Sequence, residues 1–332
     1  MSRILLLTAH SIAEYDDLRM LSELGHEVFS IGAYTDPAHP ADDKRPALPY
    51  VPDYPDLAAL VEGDQMAHKA HLPDGVLDWA EVIIVHHFVY DWIAGQWGRI
   101  RGKRVIWRTC GQSNPDLEGF MRHLRPEGLQ IVRYSPLESK SPITAGMDAV
   151  IRFGKEPSEW GGWLGDDLSV GNLTQDMLGR ADACGLSFWE YATTGLRARP
   201  AGPASELLPG GIGALSYEEM RTYLRGLRCY LYTGTVPAQY TLGLIEAMMT
   251  GTPTVSIGQR AWARGTEWLE PMFEGSFIAG GGFDDPTHAR IALTALLNDP
   301  DYALDVSRKQ RKRAIQLFGM DKVKAEWAAF LG

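Results

Sequence analysis

The sequence predicts an α/β protein of two open parallel-sheet domains, and three observations predict it. At 332 residues the chain exceeds one ordinary core and suits two units of about 150 residues each. Short apolar runs alternate with helical periodicity from residue 4 onward, as in parallel sheets covered by helices. After a break rich in glycine and tryptophan, the same alternation starts again.

Ile4 to Leu7 is a continuous apolar run, the pattern of a strand buried on both faces. Tyr15, Leu18, Leu21 and Leu24 then recur at helical spacing, Gly25 caps the helix, and Val28 to Ile31 returns as a strand. This is a Rossmann-like βαβ unit. Its first turn, Thr8-Ala9-His10-Ser11, has no G-x-G-x-x-G fingerprint, which argues against an NAD enzyme.

Asp36 to Pro55 is rich in proline and aspartate and reads as a surface loop. Strands are expected at Glu81 to His86, Arg104 to Trp107 and Gln130 to Tyr134. Gly161, Gly162 and Gly165 beside Trp160 and Trp163 mark a domain boundary, so a first domain is expected over 1–155 and a second over 156–310. The second contains Leu168 to Val170, a long polar segment, Cys229 to Tyr232, a helix from about Leu242, and Pro253 to Ile257. Residues 311–332 are expected as a C-terminal helix packing back toward the first domain.

Composition narrows the function classes. Hydrophobic residues make up 45% and charged residues 22%, ordinary for a packed globular protein. The net charge of -10 repels phosphate backbones, so nucleic-acid binding would need a local basic patch. Three cysteines, Cys110, Cys184 and Cys229, have no metal-ligand or redox spacing and read as reduced thiols. Met1 to Thr8 reads unlike a signal peptide or membrane anchor, and no membrane-spanning segment is expected. A cytoplasmic location is expected, or the host cytoplasm if the chain is viral.

The most informative stretch runs from Leu231 to Val255: a strand, a small-residue loop, a helix carrying Glu246, and a Gly-Thr-Pro turn into another strand. Free N–H groups at such a helix start attract a diphosphate, with Thr235, Tyr240, Thr241, Leu242 and Gly243 placed to contact it. Glu246 can accept two hydroxyl hydrogen bonds from a ribose. Its ordinary alternative is a solvated helix glutamate.

Glu246-Ala-Met-Met-Thr-Gly-Thr-Pro253 resembles the second half of the Glu-x7-Glu motif of retaining nucleotide-sugar glycosyltransferases, the sucrose and mannosyl transferase type. Ala238 stands where the first Glu belongs. Ser216 to Met220, Tyr223-Leu224, Leu296 to Pro300 and Gly25-His26-Glu27-Val28 follow the family's order. The resemblance implies the GT-B architecture, two facing domains with the active site in the cleft between them. It further implies transfer of a sugar from a nucleotide diphosphate sugar to a hydroxyl acceptor, and a UDP-sugar is expected ahead of a GDP-sugar. No required metal or other cofactor is expected.

Two departures stand out. Cys110 occupies the place of the family's N-domain histidine, and Gly171-Asn172 lacks its Gly-Arg, with Arg180 taken for the later lysine that holds the diphosphate. His86 and His87 end an apolar strand at the edge where open sheets bind ligands. Together with Asp16 and Cys110 they are the catalytic candidates, each with a packing or capping role as the alternative. His10, Arg108, Gln112 and Ser113 mark the acceptor side. Arg133 to Ser135 follows another strand end, with packing the default. Asp299-Pro300-Asp301 reads as a helix cap, not a metal site.

The acceptor stays open. Hydroxymethylated bases of viral DNA are one candidate, gripped by Arg99, Arg101, Lys103 and Arg104 or by Arg308 to Arg313, the latter otherwise a solvated helix face. A glycan, lipid or small metabolite is the rival. A nucleotide-sugar epimerase and a nucleotide-sugar binding protein without turnover are the competing functions.

Overall fold

The computed structural model describes residues 1–35, 45–48, 53–61, 71–86, 90–111, 114–274 and 282–332. The chain divides into two compact units: Met1–Gly154 with Val323–Gly332, and Lys155–Lys322. Each is an open parallel sheet flanked by helices, the fold class that the alternation of apolar runs predicts. Part of the expected loop from Asp36 to Pro55 lies outside the described residues.

The first unit holds β1 (Arg3–Leu7), β2 (Glu27–Ile31), β3 (Val82–His86), β4 (Arg104–Arg108), β5 (Gln130–Arg133) and β6 (Ala149–Val150). Their order is β2-β1-β3-β4-β5-β6, with every pairing parallel. Ile4 to Leu7, Val82 to Val85 and Val105 to Trp107 are buried, which explains their continuous apolar runs.

The first helix, Ser11–Glu23, starts four residues before its apolar periodicity because its opening turns bury carboxylates. Glu14 accepts bonds from Ser30 Oγ (2.6 Å), the Tyr34 N–H (2.7 Å) and Thr35 Oγ1 (2.9 Å). A side chain at Gly32 would run into that carboxylate, so the turn after β2 requires glycine.

Polar groups also tie the far side of this sheet. Arg133, at the end of β5, is buried over the Trp107 ring and forks onto Glu118 of the helix Pro115–Leu124 at 2.6 and 2.8 Å. Glu118 takes a third bond from the Ala145 N–H at 2.6 Å. Arg133 thus packs, the default role for its strand-end position.

The expected basic grip over 99–104 is largely spent within the fold. Arg104 donates to the terminal carbonyls of Phe330 (2.6 Å) and Leu331 (2.8 Å) and lies over the Phe330 ring, capping the last helix. Arg99 binds Asp74 and the Leu72 carbonyl, and Lys103 donates to the Ala80 carbonyl.

The second unit holds β7 (Asp167–Leu173), β8 (Ala198–Ala201), β9 (Leu227–Tyr232) and β10 (Thr254–Ser256), ordered β10-β9-β7-β8 and parallel throughout. The polar segment between β7 and β9 hides β8 and three helices, Met177–Arg180, Leu186–Thr193 and Tyr217–Gly226. The third opens on a Ser216/Glu219 capping box. Asp299 caps the helix Pro300–Phe318 by accepting the Tyr302 N–H at 2.9 Å, as its position before Pro300 predicts.

On that helix Arg308, Lys309, Lys312 and Arg313 are exposed, but Arg311 departs from the expected solvated face. It donates to the carbonyls of Met249 (2.9 Å), Pro157 (3.2 Å) and Trp160 (3.1 Å). Gln310 exchanges two bonds with the Thr254 backbone.

Removing Glu118 would strand the buried Arg133 charge, so Glu118→Ala should destabilise the first unit by about 3–5 kcal/mol. Urea denaturation checks this, and a loss below about 1 kcal/mol would show that the fork contributes little.

Candidate functional site

In the second unit the chain leaves β9 through Thr233, Gly234 and Thr235 and reaches the helix Leu242–Thr250. Gly234 has φ +74°, and a Cβ there would stand 2.5 Å from Trp262. Only glycine fits. Thr235 is buried and accepts the Ala238 N–H at 2.6 Å, closing a tight turn.

Thr241 occupies the N-cap in extended conformation and makes no side-chain cap bond. The first-turn N–H groups of Leu242, Gly243 and Leu244 therefore gain nothing from that side chain, and helix geometry leaves them without carbonyl partners one turn earlier. Leu242 and Gly243 are half-buried. A Cβ at Gly243 would meet Leu173 at 3.3 Å, so this helix start presses against the end of β7. Tyr240 is buried, its ring edge-on to Phe318 at 5.2 Å.

Glu246 lies in the second turn of this helix and is only 1% exposed. Its Oε1 meets Lys155 Nζ at 2.7 Å, and both side chains are almost wholly buried. The Lys155 ammonium also sits 5.8 Å from the Trp160 ring centre. Its backbone is pinned, since its N–H donates to the Phe318 carbonyl (2.8 Å) and its carbonyl accepts the Met320 N–H (3.0 Å). Sequence reasoning missed Lys155 because 91 positions separate it from Glu246 and no local pattern surrounds it.

Two cations gather beside the loop. Cys184 lies 3.9 Å from Thr235 Oγ1. Burial pushes its thiol up, while the charges of Arg180 and Arg264 pull the other way, so both guanidiniums lie near it. Gly185, at φ +68°, lets the next helix start against Thr233, and a Cβ there would lie 3.6 Å from Arg264 Nη2. Arg180 also donates to the Gln175 carbonyl at 3.4 Å. Arg264 was not singled out in the sequence, where it is one arginine in an ordinary polar turn.

Gly171 has a different setting. It is buried in β7, and a Cβ there would collide with Leu227 and stand 2.5 Å from Tyr223 Oη. Close packing of the Tyr217–Gly226 helix accounts for this glycine.

In the first unit His86 is 1% exposed, and its Nε2 lies 2.9 Å from Asp17 Oδ2. Arg108 Nε lies 3.0 Å from the same oxygen. That guanidinium lies over the rings of Phe153 (4.7 Å) and Trp327 (5.0 Å). His86 and Arg108 thus meet on an aspartate next to the expected one. Asp16 is itself buried on the same helix, and His10 is its N-cap residue without a side-chain cap bond. Cys110 is half-buried just beyond β4. His87, Gln112 and Ser113 lie outside the described residues.

Beside Cys110, Thr109 Oγ1 donates to the buried Glu138 at 2.6 Å and accepts the Tyr134 N–H at 3.2 Å. Burial pushes the Glu138 carboxyl up to about 7, with Arg133 and the Thr109 bond opposing and Glu118 adding to the rise. Among the described residues no cluster of three or more His, Cys, Asp or Glu could hold a metal ion, and no helix is long and apolar enough to cross a membrane.

No protein-family model matches the sequence, and no curated protein matches it. Solved structures do. Sucrose-phosphate synthase from Thermosynechococcus elongatus aligns over 100% of this chain and 98% of its own, at 14% identity and TM-score 0.67. Anabaena HepE in complex with UDP-glucose aligns over 100% and 99%, at 13% identity and TM-score 0.68. A glycosyltransferase from Rickettsia africae aligns over 99% and 97%, at 10% identity and TM-score 0.66. At such identities the likeness establishes the fold, a two-domain GT-B-like α/β architecture.

Glu138 supplies a pH test of the β4 loop. Its folded pKa of about 7 exceeds the ordinary 4.5. The folded state therefore binds more protons than the unfolded state between those values, and stability falls as pH rises through that window. Denaturation from about pH 4.5 to 7.5 should show a decline of a few kcal/mol in the native protein and a smaller one in Glu138→Gln. Equal slopes in the two proteins would contradict the assignment.

Proposed function

We propose that this chain is a glycosyltransferase, moving a sugar from a UDP-sugar to a hydroxyl acceptor without a required metal. The observation that carries the reading is Glu246, a buried carboxylate one turn behind an uncapped helix start that follows a small-residue loop. The fold shared with the UDP-glucose complex of HepE supports it.

In this reading Glu246 accepts the ribose hydroxyls. The amides of Leu242, Gly243 and Leu244, the helix dipole, Arg180 and Arg264 hold the diphosphate. The same groups stabilise the departing diphosphate as its charge develops, which lowers the barrier to breaking the sugar–phosphate bond. Thr235 and Tyr240 shape the loop, while Gly171 serves through packing.

The first unit is read as the acceptor-binding one, with His10, Asp16 and Cys110 as its candidates. His86, with Nε2 held by Asp17, and Arg108 act as supports for the ends of β3 and β4. Duplex DNA is the acceptor with least support, because Arg99, Lys103 and Arg104 are engaged internally and the net charge is -10. A glycan, lipid or small hydroxyl compound fits better.

UDP-glucose and related donors should raise the melting temperature, and mass spectrometry should detect transfer to a hydroxyl compound. Glu246→Ala should weaken donor binding by about 1.5–3 kcal/mol, the loss expected for hydrogen bonds to a charged group. Unchanged affinity in a folded variant, or no stabilisation by any nucleotide sugar, would refute the reading. Binding without transfer to any acceptor would point to a binding protein, for which Ala238 in the motif would be the mark.

A further inference from the structure

We propose that Lys155 is the positioning residue of the donor site, holding Glu246 ionised and fixed so that donor binding does not vary with pH near neutrality. The inference rests on the reading of the second unit as a UDP-sugar site. A buried carboxylate without a counter-charge takes up a proton, because burial penalises the charged form. Once protonated, Glu246 would become partly a donor and lose acceptor capacity for a ribose diol. The ammonium at 2.7 Å prevents this by favouring the carboxylate. It engages Oε1, and a carboxylate offers about four lone-pair positions in all.

The placement of Lys155 does not depend on its own side chain. Its N–H and carbonyl are bonded to Phe318 and Met320, at the end of the long C-terminal helix. Phe318 in turn packs on Tyr240, so the residues that anchor Lys155 also abut the loop leading to Leu242. Substituting the side chain should leave these main-chain bonds in place.

Other titratable or charged groups lie on the elements around the Glu246 helix. Tyr230 on β9 has its hydroxyl pushed up by burial and, in part, by Glu246. Its oxygen accepts the Leu173 N–H at 3.1 Å. Tyr223, on the Tyr217–Gly226 helix, is bonded to the Asn172 and Arg199 backbone. Arg311, on the Pro300–Phe318 helix, is turned onto three carbonyls. Lys155 is in direct contact with the carboxylate.

The test is calorimetric binding of UDP-glucose between about pH 6.5 and 8.5, a range in which its diesterified diphosphate does not titrate. The native protein should bind with affinity constant to about twofold. Lys155→Met should bind about tenfold more weakly at the acid end than at the alkaline end, since full burial without a counter-charge raises a carboxyl by roughly 3 pH units or more, which brings its protonation into this range. Lys155→Arg, which keeps a cation, should restore a flat profile, and Lys155→Met with Glu246→Gln should be weak and flat. A flat, native-like profile in Lys155→Met would overturn the proposal while leaving the donor site standing, as would a slope in Lys155→Arg equal to that in Lys155→Met. Absence of UDP-glucose binding by the native protein at every pH would instead overturn the donor-site reading and the proposal with it.

Discussion

Burying a carboxylate and an ammonium together is tolerable only when each stays paired and held, because either charge left alone would cost several kcal/mol. The Lys155–Glu246 pair imposes that condition on the second unit. It requires the first residue of the unit to be pinned by the last turn of the Pro300–Phe318 helix. It requires an aromatic wall at Trp160 and a helix that carries Glu246 inward. Arg311 adds to the same end, bonding the carbonyls of Pro157, Trp160 and Met249 and so joining the start of the unit to the end of the Glu246 helix.

The first unit solves a similar problem differently. Glu14, Asp17, Glu118 and Glu138 are buried carboxylates, each answered by a distinct set of donors. Backbone amides and hydroxyls serve Glu14, a histidine and an arginine serve Asp17, and a guanidinium fork serves Glu118. Glu138 takes the Thr109 hydroxyl and the Ser135 backbone with Arg133 farther off, and burial still raises its carboxyl. These clusters lie where the strands meet their loops, so they fix the geometry of the sheet edges that carry His86, Arg108 and Cys110.

What was legible in the sequence followed from local periodicity. Ile4 to Leu7 and Val28 to Ile31 could be read because buried parallel strands leave continuous apolar runs, and the helix beginning at Leu242 because a small-residue loop precedes it and a Gly-Thr-Pro turn follows it. β8, with the sequence Ala-Arg-Pro-Ala, carries no such mark, since an edge strand of four residues needs little apolar surface. Glu246 stood out through its neighbours along the chain. Lys155, Asp17, Glu138 and Arg264 did not, because what distinguishes them is contact with distant residues. Gly171, which the sequence offered beside the donor site, also has a packing reason to be glycine, since Leu227 and Tyr223 press on it.

On the proposed reading, the second unit receives a nucleotide diphosphate sugar at the start of the helix Leu242–Thr250. Amide hydrogen exchange with and without saturating UDP-glucose tests it most directly. The account predicts slowed exchange at Leu242, Gly243 and Leu244 and across Thr233 to Thr235, because amides bound to phosphate oxygens are shielded from solvent. Bound UDP-glucose that leaves those amides unprotected, with protection appearing instead around β1 and β2, would contradict it.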